Sequence, residues 1–250
     1  MVLLYIDLLG MKTRWQTAGV AGAKAAYQTL DLVVRHALGS VPEDAAESVV
    51  GGIQSDAAAL ACRDVTDAVA LGLVVFKETF RRCGALDAGR ERHWIRGVIV
   101  EMAEAELEST QTLAGPATQV AKRVFSDDLL EAINIEQSGF RGQRLLVAES
   151  LIDPNVESRF AVSLGDDRSL SLLTRLAYSD ALPGFRDALW MFPADQTPSN
   201  IDESWRLMRR AMENRLRWAG EGGAGEFTQA AATQLVFAEC NAIYRDLLPD

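Results

Sequence analysis

The sequence predicts an α+β protein: a sheet covered by helices on one face, with a pair of long helices at its C-terminal end. Three observations predict it. The chain begins with an apolar run, Leu3-Leu4-Tyr5-Ile6-Asp7-Leu8-Leu9-Gly10, that reads as a strand buried on both faces. Strand-like runs then alternate with helix-periodic segments up to about residue 150. Beyond residue 200, two helical segments flank the glycine-rich stretch Gly220-Glu221-Gly222-Gly223-Ala224-Gly225.

Each element has its own signal. Thr13 to Leu38 is helix-periodic through Ala25, Leu30, Val33, Val34 and Ala37, and Gly39 stops it. Val41-Pro42-Glu43-Asp44 reads as a loop. Ser48 to Ile53 and Ala57 to Cys62 read as strands, joined in a hairpin whose turn carries Asp56. Asp64 or Thr66 caps a helix over about Asp67 to Cys83, with Val69, Leu73, Phe76 and Phe80 on one face. Trp94 to Met102 is a strand. A helix over about Pro116 to Ile133 is expected from Pro116 at a first-turn position, and Gln143 to Ala148 is a further strand.

This order contains a βαββαβ core, the ferredoxin-like arrangement of a sheet with helices on one face. Leu170 to Ala177 reads as an added strand, Pro183 to Ser199 as loop, and Ile201 to Ala219 with Phe227 to Leu248 as a helical hairpin. Residues 1–150 are expected to form the core, and residues 151–250 an extension of the same domain.

Composition narrows the function. The chain of 250 residues is 48% hydrophobic and 24% charged, ordinary for a globular protein with a sizeable core. Its net charge of −10 disfavours a nucleic-acid partner, which calls for a basic surface. No apolar run is long enough to span a bilayer, and no basic segment precedes the first apolar run as in a signal peptide. A cytoplasmic protein without a membrane partner is expected. Cys62, Cys83 and Cys240 are scattered and odd in number, as expected of buried reduced thiols. His36 and His93 are isolated and form neither a zinc site nor a catalytic triad.

The acids in apolar surroundings carry the chemistry. A lone carboxylate in a buried strand is costly unless it is paired or bound to a metal. Asp7 lies within the first strand and Asp56 beside another. If those strands are neighbours, the two carboxylates repel, and magnesium or manganese relieves the repulsion. Two such ions, about 4 Å apart, clamp a phosphoryl-transfer substrate. Magnesium needs only one or two carboxylates when phosphates complete its shell. Gln119 and Arg123 are four apart and would share one face of the expected helix, where an amide and a guanidinium suit a ribose and a phosphoryl group. Lys122 would point elsewhere.

Together these pieces resemble the class III nucleotidyl cyclases. That family opens on Phe-x-Asp-Ile-x-Gly-Phe, here Tyr5-Ile6-Asp7-Leu8-Leu9-Gly10-Met11. Its second metal aspartate lies in a hairpin, here Ser55-Asp56. Its helix motif, Gly-x-x-Val-Asn-x-Ala-x-Arg, is here Gly115-Pro116-Ala117-Thr118-Gln119-Val120-Ala121-Lys122-Arg123. The resemblance covers about residues 1–150. It implies a cyclase core, two Mn2+ or Mg2+ ions per site held by Asp7, Asp56 and the Leu8 carbonyl, and a nucleoside triphosphate substrate. It also implies that Gln119 orients the ribose, that Arg123 stabilises the transition state, and that sites are shared across a head-to-tail homodimer.

The departures from that pattern concern the base. A lysine that helps read adenine in adenylate cyclases corresponds to Gly52, and a second purine reader to Thr112. Polar candidates near the base are Gln54, Ser55 and Arg96. Lacking the purine readers and carrying its own C-terminal helices, the chain looks like the pyrimidine cyclases of bacterial antiphage defence (Pycsar systems), which make cyclic UMP or cyclic CMP. The segment Gly142–Leu151 resembles their late core strand. UTP is favoured over CTP. The competing readings are an adenylate or guanylate cyclase with relocated base readers, and a nucleotide-binding module without catalysis. The C-terminal hairpin, with Trp205, Met208, Met212, Leu216, Leu235 and Phe237, would either extend the dimer interface or pack on its own domain.

Overall fold

A computed structural model of the chain describes residues 1–54, 56–85, 94–103, 106–114, 117–138, 142–163, 169–176, 182–191, 198–222 and 224–247. The chain starts in β1 (Val2–Leu9), turns at Gly10 and enters α1 (Met11–Leu38). A short helix α2 (Glu43–Ser48) stands where the sequence suggests only loop. The hairpin of β2 (Val50–Gln54) and β3 (Ala57–Cys62) leads to α3 (Val65–Ala85), capped by Asp64, which accepts the Asp67 N–H at 3.0 Å. Then come β4 (Trp94–Glu101), β5 (Glu106–Ala114) and β6 (Ala117–Phe125), α4 (Asp127–Gln137) and β7 (Leu145–Ala148). The C-terminal part holds α5 (Pro154–Arg159), β8 (Ala161–Ser163), β9 (Ser169–Ser171), β10 (Leu173–Thr174), β11 (Phe185–Ala188), α6 (Pro198–Gly222) and α7 (Ala224–Leu247).

Seven strands form one mixed sheet in the order β10-β11-β7-β4-β1-β3-β2. β1 lies between β3 and β4 and is antiparallel to both. The expected βαββαβ unit is therefore present as β1-α1-β2-β3-α3-β4. The continuous apolar run of β1 follows from its central place. Leu4, Ile6 and Leu8 pack under α1 and α3, while Leu3 and Tyr5 face α4 and β6. Leu3, Leu4 and Ile6 have no solvent exposure, and burial of each contributes about 1.5–3 kcal/mol.

The largest departure from expectation lies between residues 106 and 137. The helix expected over Pro116 to Ile133 is instead a two-stranded hairpin followed by a helix. β5 and β6 pair from Glu106↔Phe125 to Ala114↔Ala117, so the register closes around Gly115 and Pro116, which lie outside the described residues. Gly-Pro is a turn signal, and the segment after it, rich in Thr and Val, suits a strand. The helix starts only after Ser126, whose hydroxyl accepts the Leu129 N–H at 3.0 Å.

Three smaller differences follow the same logic of tertiary pairing. The added strand expected over Leu170 to Ala177 divides into β9, which pairs with β8, and β10, which joins the main sheet. The stretch expected to be loop contributes β11, paired with β7. The glycine-rich connector is mostly helical, with α6 running to Gly222 and α7 starting at Ala224.

The C-terminal helices cover α3 on the side away from α4. Trp205, Met208, Met212 and Phe237 are buried in the main core, and Phe237 stacks on Phe80 and Trp205. Their side chains thus pack within their own chain, while Leu235 is exposed. The buried Arg215 guanidinium lies 4.5 Å from the Phe80 ring and 4.3 Å from the Trp94 ring, a cation–π bridge between hairpin and sheet.

Gly51 shapes the hairpin that carries Asp56. Its φ is +142°, and a Cβ there would sit 2.1 Å from the Ala59 carbonyl oxygen. Gly51→Ala is expected to destabilise the fold by about 2–4 kcal/mol, read as a lower urea midpoint with an unchanged m-value.

Candidate functional site

Asp7 sits two residues from the end of β1, where the sheet gives way to the start of α1. In register it faces Ala57 on β3 and Arg96 on β4. Neighbours in antiparallel register put their side chains on one face of a sheet, so Ala57, Asp7 and Arg96 form a row across it. Asp56 immediately precedes that row in the β2–β3 turn. The turn is tied to β1 directly, since the Leu8 N–H donates to the Asp56 carbonyl at 2.9 Å. A strand residue's N–H and C=O lie on the same edge, so the Leu8 carbonyl is also on the Asp56 side.

Glu136, from the last turn of α4, lies over the same row. It is buried at 4% exposure and forms an ion pair with Arg96. The sequence does carry a signal for it. Leu129, Ala132, Ile133 and Glu136 follow i, i+3, i+4, i+7 spacing, which places a carboxylate on the apolar stripe of α4. That stripe is visible only when the helix starts at Asp127 and runs past Ile133.

Among the described residues, Asp7, Asp56 and Glu136 bring three carboxylates, and the Arg96 guanidinium lies among them. Burial first, then the charges of Glu136 and Asp56, push the Asp7 carboxyl up to about 7, with Arg96 opposing. Glu136 is raised by burial, and Arg96 counteracts that shift. The Tyr5 phenol is raised by burial and then by the charge of Asp7. Carboxylates gathered in this way have the donor chemistry for a hard divalent cation. Among the described residues no group of three or more His, Cys, Asp or Glu side chains is placed to hold a metal ion. The oxygen donors on this edge that could bind such an ion are the Asp7 and Asp56 carboxylates and the Leu8 carbonyl.

The remaining sequence-derived residues are distributed as follows. Gly52 lies in β2 opposite Ala59, and Gln54 ends β2 opposite Ala57. Ser55 lies outside the described residues. Arg96 is at the site, engaged by Glu136. Gln119 and Arg123 are not on a helix. They occupy β6, where Gln119 pairs in register with Thr112 and Arg123 with Glu108. β6 in turn packs against β2, the edge strand that leads to Asp56. Cys62 and Cys240 are buried, and burial raises both thiols, Cys62 to about 12, so neither is a reactive thiolate. Among the described residues no helix is long and apolar enough to cross a membrane.

Fold and site together define an α+β sheet protein with a carboxylate-rich site at the end of β1, an interior strand of its sheet. No protein-family profile matches the chain. No curated protein matches it either. Solved structures similar to it in fold include a bacterial light-regulated adenylyl cyclase, with a TM-score of 0.47, 9% identity, and coverage of 83% of this chain and 96% of that one. Another is the guanylyl cyclase Cya2, with a TM-score of 0.45, 10% identity, and coverage of 74% and 89%. A third is an adenylate cyclase from Trypanosoma brucei in its monomeric state, with a TM-score of 0.41, 11% identity, and coverage of 74% and 86%.

The raised Asp7 pKa has a direct consequence for stability. The unfolded carboxyl titrates near its ordinary value of 3.8 and the folded one near 7. The folded state thus binds the extra proton between those values, and its stability falls as pH rises through that window, with the full cost above it. Metal-free protein should lose more thermal stability between pH 5 and pH 8 than the Asp7→Asn variant does. At pH 8, Mn2+ should restore stability to the wild type but not to the variant. Differential scanning fluorimetry reads both effects, and parallel pH profiles for the two proteins would contradict the charge assignment.

Proposed function

We propose that the chain is a nucleotidyl cyclase that converts a pyrimidine nucleoside triphosphate, UTP before CTP, to its 3′,5′-cyclic monophosphate and pyrophosphate. The observation that carries this reading is that the β2–β3 turn holding Asp56 is hydrogen-bonded to the end of β1 that holds Asp7, whose carboxyl is raised by burial and by the charges of Glu136 and Asp56. The motif resemblance around Asp7 and Asp56 supports it, while at Arg123 the resemblance is one of residue spacing alone, because that residue lies on β6 rather than on a helix. The absence of the purine-reading lysine at Gly52 and of the second purine reader at Thr112 supports the pyrimidine preference. In this reading residues 1–150 are the catalytic core and residues 151–250 extend it. The product serves as a second messenger in antiphage defence, as the resemblance to the pyrimidine cyclases suggests.

The chemistry is an intramolecular displacement. The ribose 3′-oxygen forms a bond to the α-phosphorus, the bond from that phosphorus to the bridging oxygen of pyrophosphate breaks, and the 3′-hydroxyl proton passes to water. Bound Mn2+ or Mg2+ would ease ionisation of the hydroxyl and offset the charge on the leaving group. Asp7 and Asp56, with the Leu8 carbonyl, hold the cations. Glu136 keeps Arg96 beside Asp7, so that the guanidinium limits the repulsion among the carboxylates. Gln119 orients the ribose, and Arg123 donates hydrogen bonds to the phosphoryl oxygens as their charge grows. In a head-to-tail homodimer these two come from a second copy, one chain supplying the aspartates and the other β6.

Incubation with UTP, CTP, ATP and GTP plus Mn2+, read by mass spectrometry, tests the reading. Cyclic UMP is the expected main product. Asp7→Ala and Asp56→Ala should abolish it, and Arg123→Ala should lower kcat by about 10²–10³-fold. Cyclic AMP or cyclic GMP as the main product would replace the pyrimidine assignment. No turnover of any triphosphate would leave a nucleotide-binding module without catalysis.

A further inference from the structure

A second feature lies beside Asp56 and plays no part in the chemistry above. α1 is not one straight helix. It breaks at Gly19, with φ +60° and ψ −157°, a backbone region that is essentially reserved for glycine. The break divides α1 into two limbs with a groove of about 740 Å3 along them. Trp15 and Gln16 line it from the first limb, Val20, Lys24 and Tyr27 from the second, and Asp56 from the β2–β3 turn. Trp15 is 58% exposed and Tyr27 41%, so both rings present apolar surface along the groove. The groove has the size and the mainly apolar lining of a small-molecule site.

On the cyclase reading, Asp56 fixes the occupant, because it belongs to both the cation site and the groove. A ligand whose phosphates lie at Asp7 and Asp56 has its other end within reach of α1. We infer that this groove holds the nucleobase of the triphosphate, with Trp15 as its stacking platform and Lys24 as a selector for a carbonyl-bearing base. An indole offers a flat π-face of the kind on which bases stack. The Lys24 ammonium carries three donors and no acceptor. Uracil presents two carbonyl oxygens, cytosine and guanine one each, and adenine none. Gln16 adds one amide that both donates and accepts. The base reader thus sits on α1 rather than at the positions equivalent to Gly52 and Thr112.

The test uses ligands that bind but cannot cyclise. Calorimetry of the full-length protein with Mn2+ compares 3′-deoxy-UTP, 3′-deoxy-ATP and inorganic tripolyphosphate. Trp15→Ala should weaken 3′-deoxy-UTP at least about tenfold, leave tripolyphosphate within twofold, and be rescued by Trp15→Phe. Lys24→Met should weaken 3′-deoxy-UTP and leave 3′-deoxy-ATP unchanged. Both side chains are exposed, and circular dichroism verifies that the variants fold. If Trp15→Ala binds 3′-deoxy-UTP like the wild type while Asp56→Ala loses both phosphate ligands, the groove assignment is wrong and the cyclase reading stands. If the wild type binds neither nucleotide nor tripolyphosphate, the cyclase reading falls and the groove assignment with it. If Trp15→Ala turns a dimer into a monomer at unchanged nucleotide affinity, the groove is a contact between copies and the inference is overturned.

Discussion

Everything at the site depends on a carboxylate placed where a carboxylate is expensive. Asp7 follows Leu3, Leu4 and Ile6, all without solvent exposure, in an interior strand of a sheet covered on both faces. Its neighbours across the sheet are Ala57 and Arg96, and Glu136 lies over the row from α4. Burial first, and then the charges of Glu136 and Asp56, raise the Asp7 carboxyl to about 7, with Arg96 opposing. A fold under selection for stability alone would place an apolar side chain there. On the proposed reading, the carboxylate cluster provides for a cation that arrives with its ligand.

The surrounding elements hold that arrangement from several sides. The hydrogen bond from Leu8 to the Asp56 carbonyl joins the β2–β3 turn to β1, so the second carboxylate cannot drift independently of the first. Burial of Glu136 beneath α4 fixes its carboxylate, and its ion pair fixes Arg96. On the opposite face, Arg215 over Phe80 and Trp94 ties the C-terminal hairpin to α3 and to the start of β4, two residues from Arg96. The C-terminal helices therefore brace the strand that faces Asp7, and the aromatic stacking of Phe80, Phe237 and Trp205 supplies the adhesion.

Much of this was legible in the sequence, for identifiable reasons. β1 is a continuous apolar run, and β3 is a short run of Ala and Leu bounded by polar residues, so both strands follow from pattern, while their pairing, which brings the Asp56 turn to the end of β1, is left open by pattern and given by the sheet register. The helices α1, α3, α6 and α7 follow from their 3.6-residue period. The segment holding Gln119 and Arg123 was ambiguous, because a proline after a glycine opens helices and also marks turns. Reading a helix there hid the hairpin and moved the start of α4, which removed Glu136 from view as a carboxylate on an apolar stripe. The break at Gly19 lies inside a segment of good helical period, and nothing local distinguishes such a glycine from a tolerated one.

Anomalous diffraction from a crystal grown with Mn2+ and 3′-deoxy-UTP tests the central claim most directly. An anomalous peak within bonding distance of the Asp7 and Asp56 carboxylates, with triphosphate oxygens completing its shell, is the predicted result. Nucleotide bound elsewhere, or Mn2+ absent from Asp7 and Asp56 while the nucleotide is present, would contradict it.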